Sequence, residues 1–284
     1  MAKIFDTSYA KNLIDALPSR PEDSHKGKFG RMLCVCGSFG MAGAAYLSAL
    51  AAYRTGAGLV EVFTPEENRL ILQTLIPEAI VTTYDTDNFD DRKLMASINN
   101  CDSIVIGCGL GRSHTALEVL KTALRYADVP TVIDADALNL ISEHKFLLKY
   151  AKDKIITPHI KEMSRLSDIS VEDIQSDISE TALEFSAKHS LCCVLKSHNT
   201  VVSDKGERVY VNTIGNSGMA TGGSGDVLAG VIASLLAQKH LSLSTFDAAT
   251  LGVYLHAAAG DRAAESLGKS AVMARDVANN IRFQ

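Results

Sequence analysis

The sequence lacks the features that mark several common classes of protein. It has no run of like charges, and 28 lysines and arginines against 33 aspartates and glutamates leave a formal net charge of -5. This balance predicts neither a nucleic-acid surface nor a surface for anionic membranes. No apolar stretch reaches the roughly 20 residues that a membrane helix needs, and the N-terminus shows no apolar segment typical of a signal peptide. We therefore expect a cytoplasmic protein whose partner is a small molecule.

Cysteines at metal-site spacing are also missing. None of the six cysteines forms a Cys-x-x-Cys pair or neighbours histidines as in a zinc site. A reducing compartment suits such cysteines best. We expect them to be buried core thiols without a chemical role: Cys34, Cys36, Cys101, Cys108, Cys192 and Cys193.

Short apolar or β-branched runs alternate with helical stretches from Arg31 onward. Such alternation predicts parallel strands joined by crossover helices, and nearly continuous apolar strands indicate a sheet that helices cover on both faces. The predicted strands are 32–36, 59–63, 79–83, 103–106, 131–134, 154–157 and 192–196. Because 46% of the 284 residues are hydrophobic and no repeat or linker is visible, we expect a single α/β domain over residues 1–284.

The two ends of the chain depart from this alternation. Residues 1–28 are predicted to be an N-terminal lead-in, with an amphipathic stretch over 10–17 and then a polar loop. Residues 200–211 predict two short strands around a turn, and therefore a short antiparallel edge. Beyond this edge the pattern is mostly helical, with predicted helices over 227–240, 245–266 and 270–282.

The strongest chemical signal is a glycine-rich turn, Gly222-Gly-Ser-Gly-Asp226, directly before an apolar helix. Three glycines within four residues let backbone N–H groups converge at the positive end of the helix dipole, which predicts an anion site. Asp226 should stay ionised because the same donors favour its charged form, and it is placed to act as a base. An anion site beside a base is what phosphoryl transfer to a hydroxyl requires.

The same turn also fits a simpler interpretation, in which the glycines only make a tight turn and Asp226 only caps the helix. One or two glycines would suffice for that purpose, so we favour the anion site. The turn is not a P-loop, since no Gly-Lys-Ser/Thr ending is present, and phosphate must be neutralised by other means.

A second glycine loop, 107–111, follows the predicted strand 103–106. With Asp134 near the distance of a ribose-binding acid, a dinucleotide fingerprint is one interpretation, and a plain glycine turn is another. The spacing is Gly-x-Gly-x-Gly, which departs from the dinucleotide pattern. We favour a substrate loop at the carboxyl end of a strand, where ligands bind open α/β sheets.

Small and polar residues follow three further strands. Segment 37–45 is rich in glycine and alanine, so a flat ligand could approach its backbone, although close helix packing would need the same residues. Side chains after the neighbouring strands 131–134 and 154–157 should gather at one sheet edge. There Asp134, Asn139 and Glu162 are candidates to hold Mg²⁺ through water, while helix capping and a structural His159 are the alternatives.

Jointly and in this order, the motifs resemble the ADP/ATP-dependent NAD(P)H-hydrate dehydratase family, over nearly the whole chain from about residue 28. The resemblance implies a ribokinase-like fold. It also implies repair of NADH or NADPH hydrated at C6 of the nicotinamide ring, with ADP, or ATP in some members, consumed to drive off the hydroxyl. The matching segments are 37–45, 107–111, 134–139, 157–159, 196–200 and 222–226.

The resemblance further implies roles for single residues. Asp226 would deprotonate the C6 hydroxyl, which then attacks the terminal phosphorus. Contacts to the hydrated dinucleotide are implied for Ala44, Ala45, Gly109, His159 and Asp226. Contacts to the adenine nucleotide are implied for Lys196, Ser197, His198, Asn199, Thr200, Gly222, Gly223, Ser224 and Gly225.

Three residues depart from the usual family pattern. Lys161 and Ser197 stand where glycine is usual, which bears on the placement of Glu162 and on the ADP loop, and Ser224 replaces a threonine. The epimerase domain often fused to the N-terminus is not found, so we expect epimerisation by a separate protein. The resemblance also implies a homotetramer and favours ADP over ATP.

A small-molecule kinase of the same fold is the main alternative, acting on a hydroxymethyl pyrimidine, a thiazole alcohol or a sugar with Asp226 as its base. Such a kinase would leave a stable phosphorylated alcohol. A nucleotide-sensing module without turnover is a second alternative. An NAD oxidoreductase that uses loop 107–111 is a third, and it would consume no adenosine phosphate.

Overall fold

The computed structural model describes residues 2–283, so Met1 and Gln284, the ends of the predicted domain, lie outside the described residues. Within the described part, ten strands form one sheet. They are β1 Lys3–Phe5, β2 Arg31–Val35, β3 Leu59–Pro65, β4 Ile80–Tyr84, β5 Ser103–Ile106, β6 Thr131–Ile133, β7 Ile155–Ile156, β8 Cys192–Leu195, β9 Val201–Asp204 and β10 Arg208–Val211.

The strand order is β1-β10-β9-β8-β7-β6-β5-β2-β3-β4. All neighbours from β8 to β4 pair in parallel, whereas β9 is antiparallel to both β8 and β10. Three residues connect β9 to β10: Lys205 and Gly206 have positive φ, and the Glu207 N–H closes the turn by donating to Asp204 O at 2.9 Å. The predicted parallel sheet with a short antiparallel edge is confirmed.

Helices occupy most of the connections between strands. They are α1 Thr7–Ala16, α2 Ala42–Arg54, α3 Arg69–Leu75, α4 Asp91–Asn99, α5 His114–Tyr126, α6 Asp136–Glu143, α7 Ile160–Ser167, α8 Val171–Ser176, α9 Ile178–His189, α10 Ser224–Ala237, α11 Thr245–Leu267 and α12 Ala274–Asn279. Two predicted bounds were wrong: α10 begins three residues before 227, and α12 is shorter than 270–282. Among residues 2–283, no helix combines the length and apolarity needed to cross a membrane.

Both faces of the sheet are buried, and strand β2 shows how. Leu33 and Val35 belong to a buried cluster on one face that includes residues of α4, α5, α6 and α9, while Met32 and Cys34 belong to a cluster on the other face that includes residues of α2, α10 and α11. All four side chains are fully buried, as expected for a strand covered on both sides. The prediction of helices on both faces is therefore confirmed.

Residues 3–16 of the predicted N-terminal lead-in are folded: they form a short strand that the sequence did not predict, and a helix that covers most of the amphipathic stretch predicted over 10–17. Strand β1 pairs in parallel with β10, and helix α1 follows it. The Phe5 ring lies 4.2 Å from the Tyr9 ring and 5.6 Å from that of Phe246, centroid to centroid. A strand of three residues is too short to show a periodic pattern in the sequence. It forms because partners far away in the chain stabilise it.

The order of strands reverses between β2 and β5. From β2 the chain adds β3 and β4 on one side, then returns to place β5 on the other side of β2. In open α/β sheets such a reversal opens a crevice at the carboxyl ends of the strands, where ligands bind. Loops that follow β2, β5, β6, β7 and β8 at this edge carry predicted site residues, whereas the turn 222–226 comes after β10 and begins α10.

Candidate active site

The glycine-rich turn forms the start of helix α10. Gly223 is the N-cap, with φ +90, and a Cβ placed on it would lie 2.3 Å from Leu47 Cδ1. Only glycine avoids both the backbone strain and the clash. The turn is closed by the Ser224 N–H, which donates to Thr221 O at 3.3 Å.

Several backbone N–H groups of the turn point away from internal partners. Within residues 2–283, the N–H groups of Gly222, Gly223, Gly225 and Asp226 donate to no acceptor. Unsatisfied donors of this kind, at the positive end of a helix of 14 residues, are suited to an anion. Asp226 itself lies in the first turn of the helix and does not accept from these donors.

Asp226 lies in an acidic and poorly solvated environment. A carboxylate oxygen of Asp226, one of Asp134 and the sulfur of Cys108 all lie within 4.8 Å of one another. Burial and the charge of Asp134 raise the pKa of Asp226 to about 6. With this pKa the carboxyl remains mostly ionised at pH 7, as predicted, but the predicted reason was wrong, because desolvation and the like charge of Asp134 outweigh any effect of the backbone donors.

Lys196, at the end of β8, supplies the positive charge of the site. Its Nζ lies 2.7 Å from Asp134 Oδ1 and 4.0 Å from Glu162 Oε2. Burial alone would lower the pKa of Lys196, but the two carboxylates raise it, and the net shift is upward. A Cβ on Gly225 would lie only 3.3 Å from this ammonium. The lysine ammonium therefore lies beside the unpaired N–H groups of α10, where its positive charge could stabilise a bound phosphate.

The three residues predicted to hold Mg²⁺ through water do not form one open set of oxygens. Asp134 and Glu162 both face the Lys196 ammonium, and Asn139 Oδ1 accepts from Arg165 Nη2 at 2.8 Å. Burial raises the pKa of Glu162 to about 7, which weakens it further as a hard-cation ligand near neutral pH. These side chains do not fit a directly bound Mg²⁺.

Cys108 is the third member of the acidic cluster. A hydrogen bond with Cys36 and burial raise the pKa of the Cys108 thiol well above its ordinary value. A protonated thiol is a donor and not a metal ligand. Its Sγ lies 4.0 Å from Asp134 Oδ2. All six cysteines are buried, as predicted, but Cys108 contacts the site, which its pattern in the sequence did not indicate.

His159 and Glu162 cap helix α7. The Glu162 N–H donates to His159 Nδ1 at 3.2 Å, and the His159 N–H donates to Glu162 Oε2 at 2.8 Å. The capping alternative considered for these residues is therefore realised. The His159 side chain is still 46% exposed, and a bridge pairs its backbone with Lys196, so it remains accessible at the crevice.

The loops after β2 and β5 contact each other at the crevice. The Gly37 N–H donates to Cys108 O at 2.9 Å, and a Cβ on Gly109, whose φ is +63, would lie 2.8 Å from Ala44 Cβ. Ala44 is 8% exposed and Ala45 is fully buried. A ligand in this crevice would therefore meet Ala44 and the backbone of the loops before the side chain of Ala45.

The loop 196–200 is bonded largely to itself. Ser197 Oγ donates to Asn199 O at 3.0 Å and accepts from the Asn199 N–H, while Thr200 Oγ1 donates to Ser197 O at 3.1 Å. His198 and Asn199 are exposed. Ser197, one of the departures from the family pattern, thus stabilises the turn of this loop with its hydroxyl.

His256 is a site residue that the sequence did not reveal. It lies in the middle of the apolar helix α11, 32 positions from Ser224, yet its Nε2 is 3.3 Å from Ser224 Oγ. Burial lowers the pKa of His256 to about 4. A single histidine on an apolar helix carries no local signal of a site, so only the packing of α11 against α10 shows this contact.

The sequence profile of the NAD(P)H-hydrate dehydratase family matches residues 32–282. The chain is 38% identical to the ADP-dependent (S)-NAD(P)H-hydrate dehydratase of Neisseria meningitidis, over 93% of this chain and 88% of that protein. Relatives described as bifunctional NAD(P)H-hydrate repair enzymes are longer, and the chain spans about half of their length.

Solved structures show the same fold. A ribokinase-like superfamily protein from Enterococcus faecalis superposes with a TM-score of 0.87 at 34% identity, covering 98% of this chain and 94% of that one. The ADP/ATP-dependent NAD(P)H-hydrate dehydratase from Bacillus subtilis, co-crystallized with ATP/Mg²⁺, gives a TM-score of 0.81 at 27% identity, with 97% of both chains covered. The ribokinase-like fold is confirmed, and the chain belongs to the NAD(P)H-hydrate dehydratase family.

Proposed function

We propose that this chain dehydrates (6S)-NAD(P)H hydrate with ADP as co-substrate, giving NAD(P)H, AMP and phosphate. The observation that carries the proposal is the set of unpaired N–H groups at the start of α10, with Asp226 in the same turn and Lys196 beside it. Anion donors, a cation and a carboxylate of raised pKa are the parts that phosphoryl transfer to a hydroxyl needs. The names of the relatives agree with this chemistry.

In the proposed reaction, Asp226 takes the proton of the C6 hydroxyl as the hydroxyl oxygen attacks the terminal phosphorus of ADP. The bond from that phosphorus to the bridging oxygen breaks, and AMP leaves. Phosphate is a better leaving group than hydroxide, so the lone pair of the ring nitrogen expels it from C6. Loss of a proton from C5 then restores the dihydronicotinamide ring.

The proposal divides the crevice into two halves. The adenine nucleotide would contact the loop 196–200 and the turn 222–225, and its phosphates would meet Lys196 and the open N–H groups. The hydrated nicotinamide would lie near Ala44, Gly109 and His159, with its hydroxyl toward Asp226. Mg²⁺ is expected to enter with the phosphates and to reach Asp134 only through water.

Assembly and location are proposed on narrower grounds. A homotetramer is proposed from the resemblance to the family alone, and a cytoplasmic location is proposed from composition and from the free, buried cysteines. We also propose one domain over residues 1–284. A native mass measurement tests the tetramer directly.

The test of the activity is a spectrophotometric assay on hydrated NADH, with ADP and ATP in parallel and with and without Mg²⁺. We expect NADH absorbance to appear together with AMP and phosphate when ADP is supplied. A stable phosphorylated alcohol in place of NADH would show a kinase instead. Absence of any nucleotide consumption would reject both enzymes.

A further inference from the structure

Side chains of helix α11 contact both ends of the segment 215–224. At the first end, the Gly215 N–H donates to Asp261 Oδ2 at 3.0 Å, and Asn216 Nδ2 donates to Asp261 Oδ1 at 2.8 Å. At the second end, His256 Nε2 lies 3.3 Å from Ser224 Oγ. His256 and Asp261 are five positions apart in the same helix, so one element carries both attachments.

The surroundings of His256 determine its protonation state. Its side chain is 8% exposed, and burial lowers its pKa; the backbone of Ser224 raises the pKa slightly, and the Lys196 charge lowers it further. The imidazole is therefore neutral near pH 7, with one ring nitrogen protonated. Nε2 is the ring nitrogen that faces Ser224 Oγ, so the direction of this contact depends on which ring nitrogen carries the proton.

The chemistry of an anion site decides the direction of the contact. If Ser224 donated to the ring, its oxygen lone pairs would be left to face a phosphate, which is unfavourable. If Nε2–H donates to Ser224 Oγ, the hydroxyl hydrogen stays free to point at a phosphate oxygen. The second arrangement adds a donor beside the open N–H groups of Gly225 and Asp226.

We propose that His256 is a positioning residue for the phosphate site: its Nε2–H donates to Ser224 Oγ, which orients the Ser224 hydroxyl toward a nucleotide phosphate. This proposal rests on the proposed nucleotide site and extends it to a residue that contacts neither substrate nor reacting atoms. His256 acts through Ser224, and the effect belongs to nucleotide affinity and not to proton transfer.

The experiment measures the Kd of ADP by calorimetry for wild type, His256→Leu, Ser224→Ala and the double variant, without hydrated dinucleotide. Each single variant should weaken ADP binding by about 10- to 100-fold, the range for a hydrogen bond to a charged group. The double variant should bind no more weakly than the worse single variant, because both remove the same contact. Effects that multiply in the double variant, or an unchanged Kd in either single variant, overturn the proposal.

Matched variants separate positioning from simple loss of packing. His256→Gln keeps an N–H donor and should restore part of the affinity that His256→Leu loses. Thr250→Val, on the same helix, replaces a fully buried hydroxyl that has no partner within residues 2–283, and should leave the Kd within about twofold. If Thr250→Val weakens ADP binding as much as His256→Leu, the effect is one of helix packing and the proposal is rejected.

Two further readouts keep the test decisive. Should His256→Leu fail to fold, Ser224→Ala and His256→Gln still report the contact, and equal wild-type affinity in both rejects it. Because ADP binding is measured without turnover, an inactive dehydration assay with intact coupling between His256 and Ser224 would refute the proposed activity and leave the positioning role standing.

Discussion

The proposed role of Asp226 and its environment place opposite demands on the charge of its carboxyl group. Its carboxyl must be ionised to act as a base, yet burial and the neighbouring Asp134 make ionisation costly. A base whose pKa is raised toward the operating pH accepts a proton more readily, which suits general base catalysis. The unfavourable environment of the carboxylate is therefore consistent with its proposed role.

Replacing Asp226 with Asn should remove the base while leaving a side chain of nearly the same size and shape. We expect kcat to fall by a factor on the order of 10² to 10⁴ with little change in the Kd of ADP, since the N–H donors remain. The variant should also unfold at the same or a higher temperature at pH 8, because it removes a charge whose folded-state pKa is raised. A large loss of ADP affinity with an unchanged kcat would contradict the proposed role.

The pH dependence of activity follows from the direction of the same shift. With the pKa of Asp226 at about 6, the base form is complete well above that pH and is lost as the pH falls through it. We expect kcat/KM for hydrated NADH at saturating ADP to fall about tenfold per pH unit below about pH 6. A profile from pH 5 to pH 8 measures it.

Glu162 provides the control for that profile, because burial raises its pKa to about 7. If the fall in kcat/KM at low pH were caused by protonation of Glu162, it would disappear in Glu162→Gln. We expect the loss of activity below about pH 6 to remain in this variant, because it follows the titration of Asp226.

At the scale of elements, the start of α10 depends on the conformation of one glycine. Gly223→Ala places a Cβ at φ +90 and 2.3 Å from Leu47 Cδ1. A left-handed conformation costs a non-glycine residue roughly 1–2 kcal/mol, so the turn should shift and its N–H groups should lose their common direction. We expect ADP affinity to fall by about tenfold and the Tm to fall as well. Calorimetry and thermal unfolding measure the two effects.

Gly222→Ala is the matched control one residue away. A Cβ on Gly222 meets no heavy atom within 4 Å in the described part of the chain. This variant should keep the Tm of the wild type and lose little ADP affinity. Equal losses in the two variants would mean that ligand contact, and not the backbone conformation of Gly223, explains the effect.

At the scale of the whole molecule, the N-terminal segment closes one edge of the sheet. Strand β1 covers β10, and Phe5 and Tyr9 pack on Phe246, which is fully buried. Tyr9 also donates its hydroxyl to Asp247 Oδ1 at 2.8 Å. Removal of this segment would expose an apolar side chain and an unpaired strand edge.

Deleting residues 2–17 should therefore destabilise the protein by roughly 3 kcal/mol or more, since exposing one large aromatic side chain alone costs about 1.5–3 kcal/mol. Urea unfolding monitored by circular dichroism measures the change. Tyr9→Phe is the control, because it removes only one hydrogen bond and should cost about 1 kcal/mol. A deletion no more harmful than Tyr9→Phe would show that the segment does not stabilise the sheet.

Local pattern was sufficient for much of the architecture and for the outline of the site. Parallel strands, helices on both faces and the antiparallel edge follow from periodicity and turn residues, which depend on near neighbours in the chain. The glycine turn before α10 was equally visible, because its chemistry lies within five consecutive residues. The sequence alone also carried the resemblance that the comparisons confirm.

Tertiary structure decided the electrostatics of the site. Lys196 and Asp134 are 62 positions apart in the chain, and His256 is 32 positions from Ser224, so no local pattern predicts either contact. The raised pKa of Asp226 likewise comes from burial and from Asp134, which only the packed sheet brings near. A sequence specifies which groups are present, but their pKa values depend on distance and solvent access, which exist only in the fold.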